Sequence, residues 1–553
     1  MTATSENRNQ WFEGHAGLAA IIVILLGFLV RLWAASGIFL NPDEALHFRL
    51  ANQLSLALAY KASLTAAHPP LFILLLYYWR ALGASELWLR LPSVIAGTVF
   101  CWMFCKWLSK AAGNLAGFIG LLFVAFLPPI VLIAAEVRQY SLLLAFLASA
   151  LYFLDEAFQE NSLCQMAAFS LCLYFAMLFH YSAFLFAAAL GIYALLRIFT
   201  ERPPANLWLT WAIGQLGGLA LAVFLYKTHL SKLGAGDSRT AMQGWMSEYY
   251  LQRSYFDPAR DNPVMFLGSH GFGVFQYFFG QLTVGIVMGV VFLVGVGLLL
   301  REKSLPAGVK TRTDRTSSRP LGIFLLLSFA IAAGASLVHV YPYGGTRHIA
   351  FLIIPGVAGV SVAIACLAAG IWARGFTIAM IVIVACIAFG KPRQPRMVRA
   401  DQSRTHMADA INFIRQNIKP SDLIFTDYQS DLILGHYLCQ QHPISLENTA
   451  ADFEQFSCGG HKIVASDFRA AWMFSADNFP KEWQRAVQSY NLKPGDTVWV
   501  VQAGWGVDLP ADLQKHFAEF RDLHFESFGK NIKMFRMTVG QPAPLPRPAR
   551  ASR

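Results

Sequence analysis

Residues 18–44 read LAAIIVILLGFLVRLWAASGIFLNPDE. The run 18–36 is apolar except for Arg31 and approaches the ~20 residues that an α-helix needs to cross a bilayer core. Arg31 stands late in the run and no convincing cleavage site follows. That favours a retained anchor over a signal peptide, although Ala34-Ala35-Ser36 leaves the second reading open. Directly after the span come Asn41-Pro42-Asp43-Glu44, so a membrane crossing delivers two adjacent carboxylates to a membrane surface.

The rest of the chain repeats the first half of this pattern. Apolar residues make up 56% of 553 positions and charged residues 14%, against roughly 45–50% and about 25% in a soluble domain. Further apolar runs at 87–108, 113–134, 138–157, 163–179, 181–199, 207–226, 273–300, 320–340, 348–370 and 373–390 bring the expected count to about eleven transmembrane helices. Residues 391–540 read as a soluble α/β domain, with helix, turn and strand at 405–417 and 423–425 and again at 481–489 and 497–501. The fold class is therefore a polytopic α-helical membrane protein with a C-terminal soluble α/β domain. The ends 1–16 and 541–553 read as a cytoplasmic N-terminal tail and a disordered tail.

A net charge of +11 does not indicate nucleic acid, because no basic helix, zinc spacing or RNA-binding motif accompanies it. Arg301, Lys303, Lys310, Arg312, Arg315 and Arg319 crowd one short loop between spans, the mark of a cytoplasmic loop. The apolar run 69–83 is short and carries Arg80. Reading it as a juxtamembrane helix within 43–83 puts that loop, Lys106, Lys110, Arg197, Arg202 and Arg374 on the side of the N-terminus. The opposite, periplasmic or extracytoplasmic side of the inner or plasma membrane then holds residues 37–86, the turn 135–138, His180-Tyr181, the loop 227–272, the turn 341–347 and the α/β domain. Six cysteines lie in apolar runs as small core residues. Cys439 and Cys458 alone are in the soluble part and could form a disulfide in that oxidising compartment.

On this outer face the sequence gathers acids and bases, each with a plain structural alternative. Asp43 could cap the helix that follows and Glu44 could favour its dipole. Glu136-Val137-Arg138-Gln139-Tyr140 could be an interfacial anchor, although ionisable groups buried among membrane helices are functional candidates. His68-Pro69-Pro70 could be an interfacial histidine before a helix start, and Arg347 could snorkel. Together, Asp43, Glu44 and Glu136 beside His68, Arg138 and Arg347 suit attack of a hydroxyl on a sugar with a phosphate leaving group. The carboxylate takes the acceptor proton and the cations stabilise the departing phosphate.

Asn41-Pro42-Asp43-Glu44, His68-Pro69-Pro70-Leu71, Arg90-Leu91-Pro92-Ser93, Glu136-Val137-Arg138-Gln139-Tyr140 and Arg347-His348 with Pro355 resemble, in order, the pattern of the polytopic GT-C glycosyltransferases. The likeness covers 17–390 and is nearest to the bacterial branch related to dolichyl-phosphate-mannose protein mannosyltransferases and lipid A aminoarabinose transferase. It implies a GT-C-like transmembrane domain, a polyprenyl-phosphate-sugar donor, a site at the outer membrane boundary and inversion at the anomeric carbon. By position, Asp43 matches the catalytic base and Glu136 the second acidic site, while Arg138 and His68 match the donor-phosphate region. Other members carry lysine where His68 stands, and arginine-tyrosine is common where Arg347-His348 stands, so only Arg347 is carried over there.

Tyr140, His180, Tyr181, Trp245, Tyr249 and His348 are further candidates for donor or acceptor contact; Trp245 and Tyr249 lie in the loop 227–272, where a solvated loop is the plain alternative. No cofactor is required by this chemistry, though Asp43 and Glu136 could hold a divalent cation. The acceptor could be a lipid, a polysaccharide or a protein. An arginine-dependent glycan polymerase or ligase would not require Asp43. A transporter has many spans and buried charge as well, but no internal repeat is visible here.

Overall fold

The computed structural model describes residues 3–233, 251, 253–301, 318–368, 402–439, 453–468 and 470–540. Trp245 and Tyr249, the expected span 373–390, most of the basic loop and the tail 541–553 lie outside the described residues. Among those described, eight helices are long and apolar enough to cross a membrane, or nine if the bent pair Asn114–Phe126 and Pro128–Ala134 counts as one span.

Three apolar runs, two of them expected spans and one the expected juxtamembrane helix, form no single long crossing helix. The run 163–179 forms a helix of 17 residues, Leu163–Phe179. Residues 69–83 form only Leu71–Trp79 and a 3-10 turn, shorter than a crossing requires. The run 273–300 is not one helix: Pro263–Phe279 ends at Gly280, whose φ of +75° is left-handed, and the chain turns back as Leu282–Arg301. A Cβ on Gly285 would stand 2.5 Å from the Gln276 backbone, so the missing side chain lets these two helices pack backbone to backbone. Hydropathy registers the apolar composition of such a hairpin and not its turn.

The 64° bend between Asn114–Phe126 and Pro128–Ala134 has a chemical cause. In a continuous helix the N–H groups of residues 128 and 129 would bond to the carbonyls of Val124 and Ala125. Pro128 and Pro129 have no N–H to give. Within a membrane the freed carbonyls need other donors, and fully buried Arg31 of the first span supplies them: its guanidinium donates to Val124 O at 2.6 Å and Ala125 O at 3.0 Å.

The C-terminal domain is a six-stranded sheet in the order β2-β3-β1-β4-β6-β5, with β1 Leu423–Thr426, β2 Phe453–Cys458, β3 His461–Ser466, β4 Thr497–Ala503, β5 Phe525–Ser527 and β6 Ile532–Thr538. Strand β1 is parallel to β3 and β4, and the outer pairings are antiparallel. The two helix–turn–strand units read in the sequence are Arg404–Asn417 with β1 and Phe479–Ser489 with β4. Cys439 and Cys458 are disulfide-bonded, their Cα atoms 4.9 Å apart.

Candidate active site

The helix Pro42–Ala51 starts with a capping box, and the cap is Asn41 rather than Asp43. The Asn41 side chain accepts the Glu44 N–H at 3.0 Å, and the Glu44 carboxylate accepts the Asn41 N–H at 2.9 Å. Glu44, grouped with the catalytic acids on sequence grounds, is thereby placed in the wall of the site. Arg90 donates to both Glu44 oxygens at 2.7 Å, and the Val137 N–H donates to Oε1 at 2.8 Å. Arg90 also holds the carbonyls of Ala35 and Ile38, each at 2.9 Å, and of Phe39 at 3.1 Å. With Glu44 1% and Arg90 0% exposed, this buried pair ties the exit of the first span, the helix Glu86–Ala112 and the bend at 136–138 into one corner.

Asp43 is released to face that corner. Its carboxylate pairs with Arg347 Nη2, and Arg138 Nη1 stands 3.5 Å from the same oxygen. Arg347 Nη1 also reaches Glu136 at 4.0 Å. Four distant segments, 43–44, 90, 136–138 and 347, are thus assembled on one side of the bundle. One helical turn beyond Asp43, His47 Nδ1 lies 2.7 Å from the Asp43 carbonyl oxygen and 3.3 Å from Arg138 Nη1.

A chain of rings continues from there. His47 and His68 stand 6.1 Å apart, His68 and His180 5.1 Å, and Tyr140 and His180 5.0 Å, centroid to centroid. Arg138 sits 5.6 Å over the Tyr140 ring. The His180 Nδ1 accepts the Ser182 N–H at 3.1 Å, which puts the proton of the neutral ring on Nε2. Tyr181 turns to His229 in the π-helical turn Tyr226–Leu230. The backbone carbonyl of His348 accepts the Tyr341 hydroxyl at 2.9 Å.

Charge states follow from this packing. Burial would raise the Asp43 carboxyl, but Arg138 and Arg347, aided by His47, override it and hold the group well below its ordinary range. Burial first, then Arg138, lowers His47 and His180 to about 3. His68 is also pushed well below its usual value, by burial and then by His180 and Arg138. At neutral pH the corner therefore presents an ionised carboxylate between two guanidiniums, beside neutral imidazoles.

The set fits an anion better than a divalent cation. Among the described residues no three His, Cys, Asp or Glu side chains converge as metal ligands, and the Asp43 carboxylate is bracketed by Arg138 and Arg347. Sequence reasoning assigned no role to His47 or Arg90. His47 had a signal, standing four residues after Asp43 and so on the same helix face; Arg90 stood in a quoted motif, but nothing local showed its partner.

Residues 67–230 match the family model described as dolichyl-phosphate-mannose-protein mannosyltransferase. The resemblance to GT-C membrane glycosyltransferases holds. The matched stretch includes His68, Arg90, Glu136, Arg138, Tyr140, His180 and Tyr181, and leaves out Asp43, Arg347 and the C-terminal domain. Among solved structures, the GT-C-like chain is similar to ArnT from Cupriavidus metallidurans in the apo state, with a TM-score of 0.43 and 15% identity over 96% of this chain and 100% of that chain. The same protein bound to undecaprenyl phosphate gives 0.38 and 14% over 95% and 99%. An Archaeoglobus fulgidus oligosaccharyltransferase in complex with Zn and sulfate gives 0.46 and 10% over 90% and 69%. Likenesses this distant assign no residue a role. No curated protein sequence matches the chain.

Proposed function

We propose that this chain transfers a hexose or pentose from a polyprenyl-phosphate donor to an acceptor hydroxyl at the outer face of the membrane, with Asp43 as general base. The carrying observation is the Asp43 carboxylate held between Arg347 and Arg138 just past the end of the first apolar span. The acceptor hydroxyl loses its proton to Asp43 and its oxygen bonds to the anomeric carbon. The anomeric bond to the phosphate oxygen breaks, that oxygen keeps the electron pair, and the configuration inverts.

The two arginines have a double part in this reading. With no phosphate against them they make Asp43 a weak base. A phosphate drawn against them competes for the same N–H donors and neutralises their field, so the basicity of Asp43 rises as the donor binds. His68 and the Nε2–H of His180 supply uncharged donors to the phosphate region, and Glu136 orients Arg347 through their 4.0 Å contact. Lipid, polysaccharide and protein acceptors all offer the required hydroxyl.

The orientation proposed is an N-terminus in the cytoplasm, a transmembrane domain over 17–390 and an extracytoplasmic domain over 391–540. The Cys439–Cys458 bond supports it, since disulfides persist in oxidising compartments.

One observation favours a second reading. A carboxylate paired with two guanidiniums also suits an arginine-dependent polymerase or ligase in which Asp43 only orients Arg138 and Arg347. The variant Asp43→Asn separates the two, assayed with a radiolabelled lipid-linked sugar. Loss of about 10²–10⁴-fold in rate, the usual worth of a general base, in folded protein supports the proposal, and near-normal transfer supports the arginine-based reading.

A further inference from the structure

The C-terminal domain grips the segment that carries Asp43 along its length. At the start, Phe39 N–H donates to Gln402 O at 3.0 Å and Arg404 N–H to Gly37 O at 2.9 Å, a short antiparallel pairing around Ile38 and Ser403. The Tyr437 hydroxyl then accepts the Leu40 N–H at 2.9 Å and donates to Glu86 at 3.0 Å. Near the far end, Phe48 meets the His436 ring edge-on at 4.8 Å. Arg49 pairs with fully buried Asp431 and with Glu454 at 2.7 Å.

The helix Pro42–Ala51 has 10 residues, too few to be stable by itself. Its bundle side is pinned at the N-terminus by Glu44 and Arg90, and at the C-terminal end Arg80 donates to Ala51 O at 3.1 Å. Arg49 lies about 7.5 Å beyond Glu44 along the axis at 1.5 Å per residue, and it is held by the C-terminal domain. Anchors from the bundle and from the C-terminal domain together fix the rotation and tilt of the helix, and the direction of the Asp43 carboxylate follows from them.

We infer that the C-terminal domain is a positioning element of the catalytic centre, with Arg49, clasped by Asp431 and Glu454, setting the orientation of the helix that presents Asp43. This rests on the reading of Asp43 as the base. A misplacement of about 1 Å is worth about 10²-fold in rate, so the contact bears on kcat without touching substrate.

The test uses the full chain in nanodiscs, comparing Arg49→Met, Arg49→Lys and Asp43→Asn for kcat, donor KM and hydrogen exchange of the 44–51 amides. Arg49→Met should lower kcat by about 10–100-fold with donor KM little changed and 44–51 exchange faster, and Arg49→Lys should recover most of both. Wild-type kcat in Arg49→Met while Asp43→Asn is inactive overturns the inference alone; an active Asp43→Asn overturns the reading beneath it. Should Arg49→Met fail to fold, Glu454→Gln removes only the half-buried partner. A reduced kcat at unchanged melting temperature then supports the inference, and an unchanged kcat overturns it.

Discussion

Asp43 and Arg347, 304 positions apart in the chain, meet as an ion pair, and Arg138 stands 3.5 Å from the same carboxylate oxygen. Arg347 lowers the carboxyl and, in the proposed reaction, offers donors to the leaving phosphate. Replacing it with Gln removes a positive neighbour, so the Asp43 pKa rises toward its ordinary value and the acid limb of the rate profile moves to higher pH. The donor loses a charged contact in the same variant, so kcat/KM falls by about 10²–10³-fold. A kcat/KM–pH profile that keeps its acid limb in place would sink this account.

Glu44 and Arg90 carry a different expectation. Breaking a buried pair by removing one partner costs about 3–5 kcal/mol, whereas apolar replacement of both is much milder. Glu44→Leu and Arg90→Met should therefore each lower the melting temperature and yield sharply. The double variant should recover part of the loss, measured as a thermal double-mutant cycle in detergent.

Arg31 and the two prolines form a second cycle. Arg31→Met leaves the Val124 and Ala125 carbonyls without these donors, at about 1–3 kcal/mol for each buried acceptor. In a Pro128→Ala, Pro129→Ala background the backbone N–H groups return and the helix can close on those carbonyls. The same Arg31→Met change should then cost clearly less, and equal costs in both backgrounds would disprove the coupling.

The buried imidazoles set the direction of acid sensitivity. His47, His180 and His436 are held at about 3, and His68 and His461 also lie below the ordinary 6.5, burial being the leading cause for each. Burial raises Asp427 and Asp431, and these carboxyls act in the opposite sense. Between the ordinary carboxyl value of 3.8 and the imidazole value of 6.5 the unfolded chain gains more protons at five histidines than the folded chain holds at two carboxyls. Stability contributed by the neutral imidazoles is therefore present above 6.5 and lost as pH falls below it. The melting temperature in detergent should be lower at about pH 5 than at about pH 7.5, and His436→Phe should shrink that difference.

A membrane chain with a soluble α/β end is legible from residue order alone, because hydrophobicity adds up over neighbouring residues and needs no knowledge of packing. Residue order also brought Asp43, Glu136, Arg138, His68 and Arg347 to one face, since each stands at the end of an apolar run. Which charges pair is settled by the folded packing. It gave Glu44 to Arg90 and left Asp43 to Arg347 and Arg138, although Asp43 and Glu44 are adjacent and chemically alike. It also turned 273–300 into a hairpin and Arg31 into the donor for two proline-freed carbonyls. Such choices depend on helix rotation and on contacts between segments hundreds of residues apart, which no local window of sequence contains.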